Sequence, residues 1–271
     1  MKSVSSTIPS ALEKKYEIQN MVETHKPVFF LDYDGTLTPI VSRPEDAVLS
    51  TEMRNVLREL AQLCTVAIVS GRDRADVESL VDLKELIYAG SHGFDITGPN
   101  DMHMEQPEGQ AALPALNEAE QELEEALQDI AGSQVERKRF AIAVHYRNVP
   151  EDQQEKVISI AEQILANHPP LKKSSGKMIV ELQPDIDWDK GRALVWLLDK
   201  LNLDTPDILP FYIGDDLTDE NAFRELVEDG VGILVGEHGE KTYATYSLQD
   251  VEETRVLLEQ LTEMLESKRK E

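Results

Sequence analysis

The run PVFFLDYDGTLT, residues 27–38, decides the fold. Its first half is consecutively apolar, the pattern of a strand buried on both faces of a parallel sheet, and the apolar run stops at Asp32. The same figure occurs twice more. CTVAIVSGR (64–72) is a second such strand, ending at Ser70 and Gly71, and ILPFYIGDD (208–216) is a third, ending at Asp215 and Asp216. Apolar residues at helical spacing predict helices over 52–62, 74–81 and 218–227, with others beginning near Lys190 and Val251. Strand alternating with helix predicts an α/β fold with a Rossmann-like parallel-sheet core built from crossover units.

The pattern changes in the middle of the chain. A long acidic helix (113–130) is followed by RFAIAVHYRNV, which alternates like a half-buried antiparallel strand, then by a helix (151–167) and the strand MIVELQP. Pro169, Pro170 and KKSSGK read as turns around that last strand. The expected organisation is a core of residues 1–107 and 184–271 with a small α+β cap, 108–183, inserted in it. A polar helical lead over 11–23 precedes the first strand.

The 271 residues carry 52 acidic and 27 basic side chains, a net charge of −25. Such a balance opposes nucleic acid and anionic membranes as partners. Any phosphate site must therefore build its own positive field. No stretch approaches the roughly 18 apolar residues that cross a bilayer, and the opening MKSVSSTIPSALEKK has no signal-peptide core, so the expectation is a soluble, cytoplasmic protein, taken separately to be a monomer. The lone cysteine, Cys64, lies in an apolar run and reads as buried packing rather than as a reactive thiol.

Ligands of open α/β sheets bind beyond the carboxyl ends of the strands, so Asp32, Asp34, Ser70, Asp215, Asp216 and Asp219 should converge there. A single aspartate after a strand is usually a helix cap. Five close together repel one another unless a cation joins them, and Mg2+ suits because it takes one or two carboxylates and leaves room for phosphate oxygens. Asp32 and Asp215 are its leading ligands. A carboxylate ionised at neutral pH is a ready nucleophile, which fits Asp32, and Asp34 stands two residues on as acid and base. Gly35, Thr36 and Gly71 can turn backbone amides toward an anion, Ser70 adds a hydroxyl, and Lys190 adds an ammonium at a helix start. Taken alone, Lys190 reads more readily as a solvated surface charge.

In order and spacing, DYDGTLT, Ser70, Lys190 and GDDLTDE resemble the haloacid dehalogenase superfamily of phosphotransferases. The strings LDYDGTLTPI, VSGR, AGSHG, VERKRFAIAVHYR, SGKMIVELQP, DKGRAL and GDDLTDENAF resemble, within it, the trehalose-6-phosphate phosphatases. The resemblance implies that Asp32 is phosphorylated and Asp34 is the general acid and base. It further implies that Ser70 and Lys190 hold phosphate, and that Asp32, the carbonyl of Asp34, Asp215, Asp216 and Asp219 hold Mg2+ or its waters. It assigns Arg72, His92 and Gly93 to the substrate, and Glu136, Lys138, Arg147, Lys177 and Glu181 to the sugar. A disaccharide phosphate presents many hydroxyls, which charged groups with several donors and acceptors suit. Association with a trehalose-phosphate synthase is a further expectation. The alternatives are a phosphatase for sucrose 6-phosphate, glucosylglycerol phosphate or mannosylglycerate phosphate, and, from another class, a phosphoaspartate receiver or a non-catalytic sugar-phosphate-binding partner.

Overall fold

The structure, a computed structural model, describes residues 8–41, 43–176 and 178–270. The chain up to His103 and from Trp188 onward forms one compact unit, and Met104–Asp187 forms a second. In chain order, helix α1 (Lys15–Thr24) leads into β1 (Lys26–Leu31), and α2 (Thr51–Ala61), β2 (Val66–Val69), α3 (Arg74–Val81) and β3 (Ile87–Gly90) follow. Next come β4 (Asp95–Gly98) and β5 (Met102–Glu105). The second unit holds α4 (Pro107–Ala111), α5 (Leu113–Leu127), β6 (Gln134–Lys138), β7 (Ala141–His145), α6 (Glu151–Ala166), β8 (Leu171–Gly176) and β9 (Ile179–Pro184). The chain then completes the first unit with α7 (Lys190–Lys200), β10 (Ile208–Gly214), α8 (Glu220–Glu225), β11 (Val231–Val235), β12 (Tyr246–Leu248) and α9 (Val251–Lys270).

Among the described residues the larger sheet runs β12-β11-β10-β1-β2-β3-β4-β5. Pairing is parallel from β12 to β3, and β4 turns back antiparallel on β3. Val28 to Leu31 and Val66 to Val69 are all buried, which is why these strands read as unbroken apolar runs. Phe29 stacks on Phe211 with ring centroids 4.9 Å apart, tying β1 to β10. From β1 the chain builds one way through β2 and β3, then crosses to build the other way through β10 and β11. The switch point is therefore at β1, where ligands of such sheets bind. Leu31 pairs with Ile213 on one side and Ile68 on the other, so Asp32 emerges between the ends of β10 and β2.

Two segments of this unit depart from the sequence expectation. The lead helix begins at Lys15, because the residues before it pair instead with the edge strand β12: Ala11 N–H donates to Ser247 O at 2.8 Å, and Ser247 N–H to Pro9 O at 2.9 Å. The helix expected over 218–227 is a 3-10 turn, Leu217–Asp219, followed by the short α8. The Asp219 carboxylate accepts from the amides of Asp215 and Asp216 at 3.1 and 3.0 Å, which curls the chain before the helix can start. No described helix is long and apolar enough to cross a membrane.

The second unit is an antiparallel sheet in the order β6-β7-β9-β8, backed by helices. Leu116, Ala119, Leu123 and Leu127 of α5 and Val157, Ala161 and Ile164 of α6 pack on Ile142, Val144, Val180 and Leu182. The segment LKKSSG, expected as a turn, is strand β8, with Lys173 paired to Glu162 of α6 at 2.6 Å. Its polar composition hid a strand whose lysine finds a partner on the helix layer. Strand β7 was expected to alternate, yet Ala141 and Ala143 are as buried as Ile142 and Val144, and small alanines rather than polar residues occupy the face opposite Ile142 and Val144.

Candidate active site

Lys190 organises the site at the switch point. Its ammonium donates to Asp32 Oδ1 at 2.8 Å and to Asp219 Oδ1 at 2.7 Å, and it is 3% exposed, so this cation belongs to the interior and not to the surface. The helix it opens is capped by Asp189, whose side chain accepts from Arg192 N–H at 2.9 Å. Asp219 is wholly buried and saturated: Lys190 and the Tyr212 hydroxyl, at 2.7 Å, donate to one oxygen, and two main-chain amides to the other. It anchors Lys190.

Asp32, Asp215 and Asp219 bring carboxylate oxygens within 4.8 Å of one another. Three carboxylates against one ammonium leave two negative charges uncompensated, the deficit a divalent cation fills. Burial lifts Asp32 well above the ordinary carboxylate value, and the charges of Asp219 and Asp215 add to this while Lys190 opposes it. Burial, followed by Asp219, lifts Asp215 to about 7. Gly35, at φ +81°, lies so close that a Cβ on it would stand 2.1 Å from Asp215 Oδ2. The buried Thr36 hydroxyl has no hydrogen-bond partner among the described residues. An anionic cluster short of positive charge, beside an unsatisfied hydroxyl, fits a hard cation together with an anionic ligand. Asp216 stands apart from this cluster: its exposed carboxylate accepts from Leu217 N–H at 2.7 Å as a helix cap.

Asp34 is gripped by Arg72. Nε and Nη2 of the arginine donate to its two oxygens at 2.7 and 2.8 Å, while Nη1 reaches Asp76 at 3.0 Å and Nη2 also donates to Pro44 O at 2.9 Å. The guanidinium also lies over the Tyr33 ring, 5.5 Å from its centroid. Arg72, expected on the substrate, is thus placed on the residue expected to move protons. Ser70 is buried, and its hydroxyl accepts from Arg72 N–H at 3.1 Å. A Cβ on Gly71 would lie 2.9 Å from the His92 ring, so His92 lies against the Ser70 loop. Gly93, at φ +91°, admits α7: its Cβ would meet that of Ala193 at 2.2 Å.

In the second unit, the register row Glu136, Ala143, Glu181 crosses β6, β7 and β9 and carries both acidic side chains on one face. Lys138 reaches Glu181 at 3.2 Å, spanning the intervening strand. Arg147 is exposed, just beyond β7. Lys177 lies outside the described residues. Sequence reasoning missed two members of these networks, Tyr212 and His145. A tyrosine inside a fully buried strand needs a partner for its hydroxyl, and that was the available signal. His145 follows the period-two rule on β7 and shares the face of Ala141 and Ala143.

A parallel sheet with a buried aspartate-lysine pair and a carboxylate cluster at its switch point has the haloacid dehalogenase-like fold. A Bacteroides thetaiotaomicron hydrolase of that description superposes with a TM-score of 0.61 at 18% identity, covering 89% of this chain and 98% of that one, a likeness of fold alone. The trehalose-phosphatase family profile matches residues 30–252. The chain belongs to that family. It is 44% identical over 271 residues to a probable trehalose-phosphate phosphatase E of Arabidopsis thaliana, covering 96% of this chain and 77% of the relative. It is 46% identical to a Mycobacterium tuberculosis protein described as an uncharacterized glycosyl hydrolase, spanning 90% of this chain but 19% of that protein. A crystal structure of a trehalose-6-phosphate phosphatase related protein superposes with a TM-score of 0.78 at 26% identity, covering 89% of this chain and 99% of that one.

Proposed function

We propose that the protein hydrolyses trehalose 6-phosphate to trehalose and phosphate with Mg2+, through a phosphoryl group carried on Asp32. The observation that carries this reading is the buried Lys190 bridging Asp32 and Asp219 beside Asp215, in a chain of the trehalose-phosphatase family. Asp32 and Asp215 would hold Mg2+, with the carbonyl of Asp34, and the bound ion would supply the positive charge that lets an anionic nucleophile meet an anionic phosphoryl group.

Asp32 attacks phosphorus, forming an O–P bond as the bond to the sugar oxygen breaks. Lys190 holds the attacking carboxylate in place and balances its charge. Asp34 gives the departing oxygen a proton, then takes one from the water that attacks the phosphoaspartate. Phosphate leaves and Asp32 is restored. Both Asp34 oxygens are held by Arg72, yet each keeps a second lone pair at which a proton can be taken up or given while the fork stays closed. Ser70, Thr36 and the amides around Gly35 and Gly71 bind the phosphoryl oxygens. Glu136, Lys138, Arg147, Lys177 and Glu181 are assigned to the sugar hydroxyls.

The test is phosphate release from trehalose 6-phosphate, sucrose 6-phosphate, glucose 6-phosphate, glucosylglycerol phosphate and mannosylglycerate phosphate, with Mg2+ and with a chelator. Preference for trehalose 6-phosphate that vanishes with the chelator supports the whole reading. Preference for another sugar removes the substrate and keeps the chemistry. Near wild-type turnover by Asp32→Asn would remove Asp32 as nucleophile.

A further inference from the structure

In the second unit, one face of the sheet is packed against helices and the other is polar. Period-two alternation puts Glu136 and Lys138 of β6, Ala141, Ala143 and His145 of β7, and Glu181 of β9 on the polar face. Glu136 and Glu181 flank Ala143, which is fully buried between them in the register row. Each carboxylate has a cationic or hydrogen-donating neighbour across the strands. Lys138 holds Glu181, and His145 Nε2 meets Glu136 Oε2 at 2.6 Å.

A carboxylate only accepts, so Nε2 of His145 carries the hydrogen in this bond and the tautomer is fixed by it. The His145 and Glu136 side chains are 32% and 37% exposed. Pairs with that much solvent contact contribute little to stability, so the contact is poorly explained as a fold-holding device. It is better explained by direction. A glutamate has three side-chain torsions, and a bond of 2.6 Å to a ring on the next strand narrows the positions they sample. A carboxylate offers about four acceptor sites, of which the histidine takes one.

We propose that His145 is a positioning residue for sugar recognition, which aims the Glu136 carboxylate at a hydroxyl of the substrate. This rests on the reading of the polar face as the sugar-recognising surface. His145 touches neither the phosphoryl group nor the reacting atoms. Its effect passes through Glu136.

The test is a double-mutant cycle of His145→Ala and Glu136→Ala, read as kcat/KM on trehalose 6-phosphate divided by kcat/KM on p-nitrophenyl phosphate, whose leaving group has no sugar hydroxyls. His145→Ala should lower that ratio about tenfold, through KM more than kcat, the size of one charge-assisted hydrogen bond no longer aimed. In the Glu136→Ala background it should change the ratio by less than about twofold, because the residue it positions is gone. His145→Gln, which keeps an N–H near the place of Nε2, should recover most of the loss. Full additivity overturns the proposal, as does an equal loss on both esters or a His145→Gln as impaired as His145→Ala. If the wild type prefers another sugar phosphate, the substrate reading falls and the same cycle on that sugar still decides the role of His145. If the wild type favours no sugar phosphate over the aryl ester, both fall.

Discussion

Arg72 holds both carboxylate oxygens of Asp34, at 2.7 and 2.8 Å, across 38 residues of sequence. The fork is itself fixed by Asp76, by Pro44 O and by the Tyr33 ring beneath it. A planar guanidinium with two parallel donors sets the plane of a carboxylate, which an ammonium cannot do. Arg72→Lys should therefore lower kcat on sugar phosphates about 10- to 100-fold, a part of the roughly 10²–10⁴ that a positioned acid and base supply. p-Nitrophenyl phosphate should lose less, since its leaving group departs without a proton. Unchanged kcat on both esters would mean that the fork has no part in proton transfer.

The two uncompensated charges of the Asp32, Asp215 and Asp219 cluster make cation binding visible without turnover. A ligand bound only by the folded state at 100 times its Kd adds about 2.7 kcal/mol. Mg2+ should raise the melting temperature, EDTA should reverse the rise and stop phosphate release, and Asp215→Asn should lose most of the thermal response. A melting temperature indifferent to Mg2+ in the wild type would contradict the cation reading.

Tyr212 donates to Asp219, which in turn anchors Lys190. Tyr212→Phe removes one hydrogen bond to a fully buried carboxylate while keeping the ring, which packs edge-on against Phe223. A loss of about 1.5–3 kcal/mol is expected, read from the urea midpoint, because hydrogen bonds to charged groups are worth that much. Phosphate release should fall with it as Lys190 loses its fixed partner. An unchanged midpoint would show that the remaining donors to Asp219 suffice.

The parts of this molecule that sequence made legible are those written in local pattern. Strands β1 from Pro27 onward, β2 and β10 are nearly unbroken apolar runs because both faces are covered, so their polar ends at Asp32, Ser70 and Asp215 stand out. The start of α7 at Lys190 was legible from its helical spacing. Strand β8 was not, because only Leu171 gives it an apolar anchor and its lysines look like turn residues. Strand β12 is three residues long and owes its place to pairing with β11 and to the bridge from Ser10 to Ser247. The fork of Arg72 on Asp34 and the bond of His145 to Glu136 are contacts between separate strands and loops, so no window of sequence contains them. Saturation of Asp219, likewise, was invisible until Tyr212 and two main-chain amides met it.

Alkali should unfold the protein through groups that burial keeps protonated. Cys64 is held by burial at about 12, and Tyr33, also chiefly through burial, at about 12, against ordinary values of 9.0 and 10.0. Between pH 9 and 12 the unfolded thiol has lost its proton and the native one has kept it, so the native state binds more protons and stability falls as pH rises. Tyr33 adds to the fall between 10 and 12. Each group steepens it by at most about 1.4 kcal/mol per pH unit. Urea midpoints taken from pH 8 to 11 should thus decline, and Cys64→Ala should flatten the part of the decline that begins near pH 9. Cys64 is partly buried where it packs on the core, and its raised thiol pKa predicts that iodoacetamide at pH 8.5 alkylates it more slowly in the native state than in urea, since only the thiolate reacts. Equal rates in the two states would show that the thiol is not held above its ordinary value in the native protein.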